Sequence, residues 1–227
     1  LGFPHSRDIF AHQRGDRQAD EMALLAWRMC VLRQARAVNA VREYKHGTIT
    51  PAWMRELAKL STFDEGPKLA REYLARHGIT LVIEKHFKRT FLDGAAMLDN
   101  DRPIVALTLR HDRFDNFWFA LLHELAHVAK HLTAEAPVFI DDLDRSNPQK
   151  VEAEADAMAG EALIPEKSWR TAKVRTTLLS EDAIAFADEI GVHPAIVAGR
   201  LRHEEKNFRL LSHLIGKTGQ VSQLLHQ

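Results

Sequence analysis

The run over residues 117–131, FWFALLHELAHVAKH, constrains the fold more than any other stretch. It is helix-forming and almost wholly apolar on both sides of its polar residues, so the helix is buried. Polar side chains on a buried helix need partners. On a helix His123 and His127 stand one turn apart and share a face. Two imidazoles placed in this way can bind one zinc ion. Glu124 follows the first of them and can lean toward the open side of the ion. There it would take a proton from water attacking a carbonyl. Taken alone, the pattern also fits a surface set of polar residues. The apolar flanks and a second, carboxylate-rich helix downstream argue for the metal.

That second helix covers residues 149–165. Val151, Ala155, Met158, Ala159 and Ala162 form an apolar stripe at helical spacing. Glu154 borders the stripe and can point inward. A catalytic zinc takes three protein ligands and keeps one position open for water, and His123, His127 and a glutamate would supply them. The competing reading makes Glu152, Glu154, Asp156 and Glu161 a solvated face.

With these residues in view the chain resembles the ImmA/IrrE family of bacterial zinc metallopeptidases. The resemblance rests on His123-Glu-Leu-Ala-His127, on Glu152-Ala-Glu154-Ala-Asp156 and on Ala162-Leu-Ile-Pro165, and extends from about Leu69 to Leu201. It implies a zincin-like fold and a gluzincin-like set: His123 and His127 as ligands, Glu124 as catalytic glutamate and one zinc per chain. The third ligand matches Glu154, with Glu152 as the fallback two residues away. Other divalent ions suit the same donors. The implied substrate is a regulatory protein, often a helix-turn-helix repressor, cut in a stress, phage or toxin–antitoxin type of switch. Such domains often follow a DNA-binding helix-turn-helix domain. The chain opens on Leu1, so an upstream domain in a longer parent is an expectation too. The rival implication is a non-catalytic sensor or dimerisation domain of a DNA-binding regulator or antitoxin.

Composition narrows the class. The 227 residues carry no formal net charge, which gives no support to a strongly basic nucleic-acid-binding protein. The single cysteine, Cys30, excludes an intrachain disulfide and any multi-cysteine zinc site. Sparse cysteine fits a reducing cytoplasm, the expected location. No signal peptide and no apolar run long enough to span a bilayer stands in the sequence.

Taken in order, residues 1–19 read as a linker or docking arm, and 20–65 as an N-terminal helical segment. The zincin-like domain is expected over 66–205 and a helical tail over 206–227. A long helix is expected over 20–45, with more than one apolar face. Thr50-Pro51 reads as the start of the next helix, cap then first turn. Ile79–Glu84 reads as a strand, and Phe91–Leu98 and Ile104–Leu109 read as a hairpin turned at residues 99–103. The sum is an α+β fold, mostly helical, with a small three-stranded sheet beside the motif helix. Gly94, Ala95 and Ala96 have small side chains, so this strand is a candidate substrate-binding edge; an ordinary inner strand is the alternative. Asp112 is a candidate cap of the motif helix. His131, one turn beyond His127, reads as a support for the ligands or as a surface residue. The pair of helices around Gly191 has a helix-turn-helix outline, with Arg200, Arg202, His203 and Lys206 available to phosphate. The tail has an apolar side that would pack on the core or on a second copy in a homodimer.

Overall fold

The computed structural model describes residues 20–38, 42–133, 137–139 and 148–225. The arm expected over 1–19 and most of the acidic loop over 133–148 lie outside the described residues.

Helix α1 runs Glu21–Ala37, and Asp20 caps it by accepting from the Met22 and Ala23 amides, each at 3.1 Å. It stops well short of residue 45, because the β-branched Val38 takes an extended backbone. Helix α2, Pro51–Lys59, starts where the sequence indicates, with Thr50 Oγ1 accepting from the Trp53 amide at 3.2 Å. Helix α3, Gly66–Arg76, leads through Gly78 into strand β1, Thr80–Ile83. Gly78 has φ +77°, and a side chain there would meet the Tyr44 backbone at 2.4 Å. Strands β2, Gly94–Asp99, and β3, Arg102–Leu107, form a hairpin closed by Asn100 and Asp101. Both turn residues are left-handed, as a tight two-residue hairpin demands.

The sheet has the order β1-β3-β2-β4, with β1 parallel to β3 and the other pairs antiparallel. Strand β4, Val138–Phe139, adds to the three expected strands; two residues are too few to leave a period in the sequence. Along each strand alternate residues serve different layers. Val82, Ala95, Met97, Ile104 and Ala106 meet Leu24, Trp27, Val31 and Ala35 of α1. Leu81, Ala96, Val105 and Leu107 join the larger core on the other face. That core is built around helix α4, Phe114–Lys130, whose Phe117, Trp118, Leu121, Leu122 and Leu125 are fully buried.

Helix α5, Pro148–Leu163, packs on α4. After it come α6, Glu166–Arg170, α7, Val174–Thr177, α8, Ser180–Ile190, and α9, Pro194–Glu204. Gly191, at φ +66°, joins α8 to α9. Helix α9 buries Ala195, Ile196, Val197, Ala198 and Leu201 in the main core. Its Arg200 is spent on Glu166 and Glu204, and Arg202 is buried with its guanidinium on the Phe208 carbonyl. Two of the four cations considered for phosphate are thus committed within the fold. The final helix, α10, Gln220–Leu225, sends Val221 and Leu225 into the same core. Asp112 caps this helix and not α4: its Oδ1 accepts from the Val221 and Ser222 amides at 3.0 and 3.2 Å. The residue before α4 in space as in sequence is Arg113, paired with Asp115. Among the described residues no helix is long and apolar enough to cross a membrane.

His193 ties α9 to this framework. Its Nδ1 accepts from the Ala195 amide at 3.1 Å, its own amide donates to Ser61 Oγ at 3.0 Å, and its ring lies 4.6 Å from that of Phe114. Burial lowers its pKa from the ordinary 6.5, against a smaller opposing pull from Asp64. The unfolded chain therefore binds the proton more readily than the folded one. The stability due to neutral His193 is complete above pH 6.5 and drains away as pH falls below it. Denaturant unfolding between pH 7 and pH 5 will show a falling stability. His193→Asn, which caps without titrating, will flatten that slope, and an unchanged slope in the variant would refute this assignment.

Candidate metal centre

Three donor atoms converge between α4 and α5. His123 Nε2 and His127 Nε2 lie 2.9 Å apart. Glu152 reaches both, with Oε2 at 3.2 Å from His123 Nε2 and Oε1 at 3.4 Å from His127 Nε2. Ligands about 2.0–2.1 Å from a tetrahedral zinc stand roughly 3.3 Å from one another, so the triangle has the right size. Its donor types, two imidazoles and a carboxylate, suit zinc and similar divalent ions. Among the described residues this is the group of histidine and acidic side chains that can hold a metal ion.

The carboxylate that the fold brings to the two histidines is Glu152, the fallback of the sequence reading, and not Glu154. Glu154 is half exposed, and its Oε2 lies 3.4 Å from His131 Nε2, away from the triangle. Helical geometry explains the exchange. The buried stripe of α5 is Ala155, Ala159 and Ala162. At about 100° per residue Glu152 stands roughly 60° from Ala155, whereas Glu154 stands roughly 100° off on the other side. Counting angles and not merely adjacency would have selected Glu152.

Around the triangle each imidazole is held from behind. His123 Nδ1 lies 2.9 Å from Asp156 Oδ1. His127 Nδ1 lies 2.9 Å from His131 Nδ1, and His131 continues to Glu154. Partners on the far ring nitrogen fix tautomer and ring orientation and raise ligand basicity. Asp156 was legible only as a surface carboxylate. Its signal is the spacing from Glu152, one turn along the same side of α5. His131 takes the supporting role that was one of its two readings.

The electrostatics favour a cation. Burial draws the His123 pKa down, but hydrogen bonds to Asp156 and Glu152 and the charges of Glu124 and Glu152 push it up to about 10. The carboxylates around this ring thus make positive charge favourable at the point where the donors meet.

Glu124 is buried, and its side chain lies over the start of β2. A Cβ on Gly94 would come within 2.7 Å of Glu124 Oε1 and 2.9 Å of its Cγ. The other two residues of the expected substrate edge turn their side chains into the core. Ala95 and Ala96 are buried, Ala95 beneath α1 and Ala96 in the larger core. Strand β4 already pairs with β2 at Ala96 and Met97. The period of two sends these side chains into packing, so they do not line a groove.

A mostly helical α+β fold of the zincin-like kind, with a triangle of donors able to hold a metal on two facing helices, defines the class as that of metallopeptidase-family domains. The family model for the IrrE N-terminal-like domain, peptidase family M78, matches residues 75–202, more than half of the chain, and the chain belongs to this family. Among curated proteins none matches the sequence.

Metal analysis by mass spectrometry will find the wild type loaded after exposure to zinc. His123→Ala and Glu152→Gln will lose the metal, and Glu154→Gln will keep it. Asp156→Asn and His131→Ala will weaken binding by about 10–100-fold. Loss in Glu154→Gln together with retention in Glu152→Gln would reverse the assignment.

Proposed function

We propose that this domain is a zinc-dependent endopeptidase whose substrate is a regulatory protein. The observation that carries the reading is the triangle of His123, His127 and Glu152 with Glu124 buried beside its first member. These three donors would hold the ion. When bound, it supplies Lewis-acid polarisation of the scissile carbonyl and of the attacking water.

The chain's own residues supply the rest. Glu124 takes the proton of the attacking water and returns it to the leaving amine, so one carboxyl serves as base and then as acid. Its buried position keeps bulk water from competing for that proton. Asp156 and His131 hold the two imidazoles in register while charge builds nearby. The carboxylate-rich surroundings that raise His123 favour the cation over an empty site.

The substrate class comes from the family resemblance: a helix-turn-helix repressor, cleaved in a stress, phage or toxin–antitoxin type of switch. Extended protein segments are the form a peptidase accepts, and cleavage of a repressor would release the genes it holds.

Glu124→Gln will keep its zinc and lose cleavage by about 100-fold or more. The check is a mass-spectrometric census of new protein N-termini in cells expressing either form. Termini made by the wild type and absent with the variant identify substrate and bond together. The same termini from both forms would refute the mechanism.

A further inference from the structure

The contact between Gly94 and Glu124 links the sheet to the chemistry. We infer that Gly94 is a positioning residue: its missing side chain is the space in which the Glu124 carboxyl is held. This rests on the peptidase reading above and names a further residue of that same site.

Gly94 is the first residue of β2, and its register partner on β3 is Leu107. By strand alternation it faces the same layer as Ala96, the layer of α4. The space a Cβ would take is closed on two sides. Glu124 Oε1 and Cγ would stand at 2.7 and 2.9 Å, and Leu107 Cδ2 at 3.0 Å. The backbone does not need glycine here for its conformation, since Gly94 is not among the glycines of positive φ. What the position needs is the absence of volume.

The atoms in the way decide what a substitution does. On the Glu124 side they are the carboxylate oxygen and the Cγ of one side chain, so the added carbon displaces that side chain as a whole through its torsions. The atom that must move farthest is a carboxylate oxygen, the one the proton transfer depends on. A misplacement of about 1 Å in a catalytic group can cost on the order of 100-fold in rate. Gly94→Ala thus meets side chains and no backbone, and its effect on the site falls on the Glu124 carboxylate. This also separates Gly94 from Gly66, where an added Cβ would meet the backbone oxygen of Leu60 at 2.6 Å and the fold itself would resist.

The test uses acetohydroxamate, a small zinc-binding probe whose acidic proton is accepted by the neighbouring carboxylate. Zinc-loaded wild type, Gly94→Ala, Glu124→Gln and the double variant are titrated by calorimetry, with zinc content measured alongside. All four will hold the same zinc. Gly94→Ala and Glu124→Gln will each bind the probe more weakly by about tenfold or more, the scale of one charge-assisted hydrogen bond. The double variant will bind no more weakly than Glu124→Gln alone, because both changes remove one contribution. A Gly94→Ala protein that binds like wild type overturns the inference. So do additive losses in the double variant, which would mean a distorted metal site. A wild type that takes up no zinc, or takes up zinc and ignores the probe, overturns the peptidase reading itself and this inference with it.

Discussion

Everything at the site depends on the close approach of α5 to α4, and alanines make that approach. Ala155, Ala159 and Ala162 are the buried stripe of α5, and the surface they meet is the broad apolar side of α4. With larger side chains in this stripe the helices would stand farther apart. Glu152 would then fall short of the two imidazoles, which it now reaches at 3.2 and 3.4 Å. A metal-ligand triangle has a tolerance of a few tenths of an ångström, so the packing of small side chains sets the chemistry of the polar ones.

Helix α4 pays for its position with buried polar groups. Glu124, His127 and His131 are all nearly inaccessible, and leaving such groups unanswered would cost several kcal/mol in total, at roughly 1–3 kcal/mol each. The neighbours answer them in two directions. Helix α5 presents Glu152 and Asp156 to His123 on one side of its buried stripe and Glu154 to His131 on the other, and the strand β2 opens a gap at Gly94 for Glu124. The same arrangement explains why the helix is otherwise so apolar. Trp118, Leu121 and Leu122 anchor it so firmly that its polar row has little freedom to turn away.

The sheet has a double duty. One face carries α1 and the other carries α4, so the period of two along β2 sends Ala95 and Met97 toward α1 and places Gly94 with Ala96 on the side of the site. The far end of the chain is recruited as well. Asp112, just before α4, caps α10 across more than a hundred residues of sequence, and α10 packs against α3 and α4. The entry to the motif helix is thereby held by the last helix of the described residues.

The motif, its helix and the expectation of a metal were legible because they are local: a four-residue spacing on a helix places two imidazoles together whatever the rest of the chain does. The two helices, the hairpin at Asn100–Asp101 and the Thr50 cap were legible for the same reason, each written within a few residues. The choice of Glu152 over Glu154 lay at the border. Helical angles contain it, but only the crossing of α5 over α4 makes the angle decisive. The caps and contacts that span the chain were decided by tertiary structure alone. Asp112 has the residue type of a cap, yet which helix it caps depends on which amides folding brings within reach. Gly94 reads in sequence as a small residue in a strand, and only the fold shows that its open space is filled by Glu124. Sequence thus determined which groups are present at a helical spacing. Packing determined which of them meet, because meeting is a matter of ångströms between elements and sequence specifies distance only along the chain.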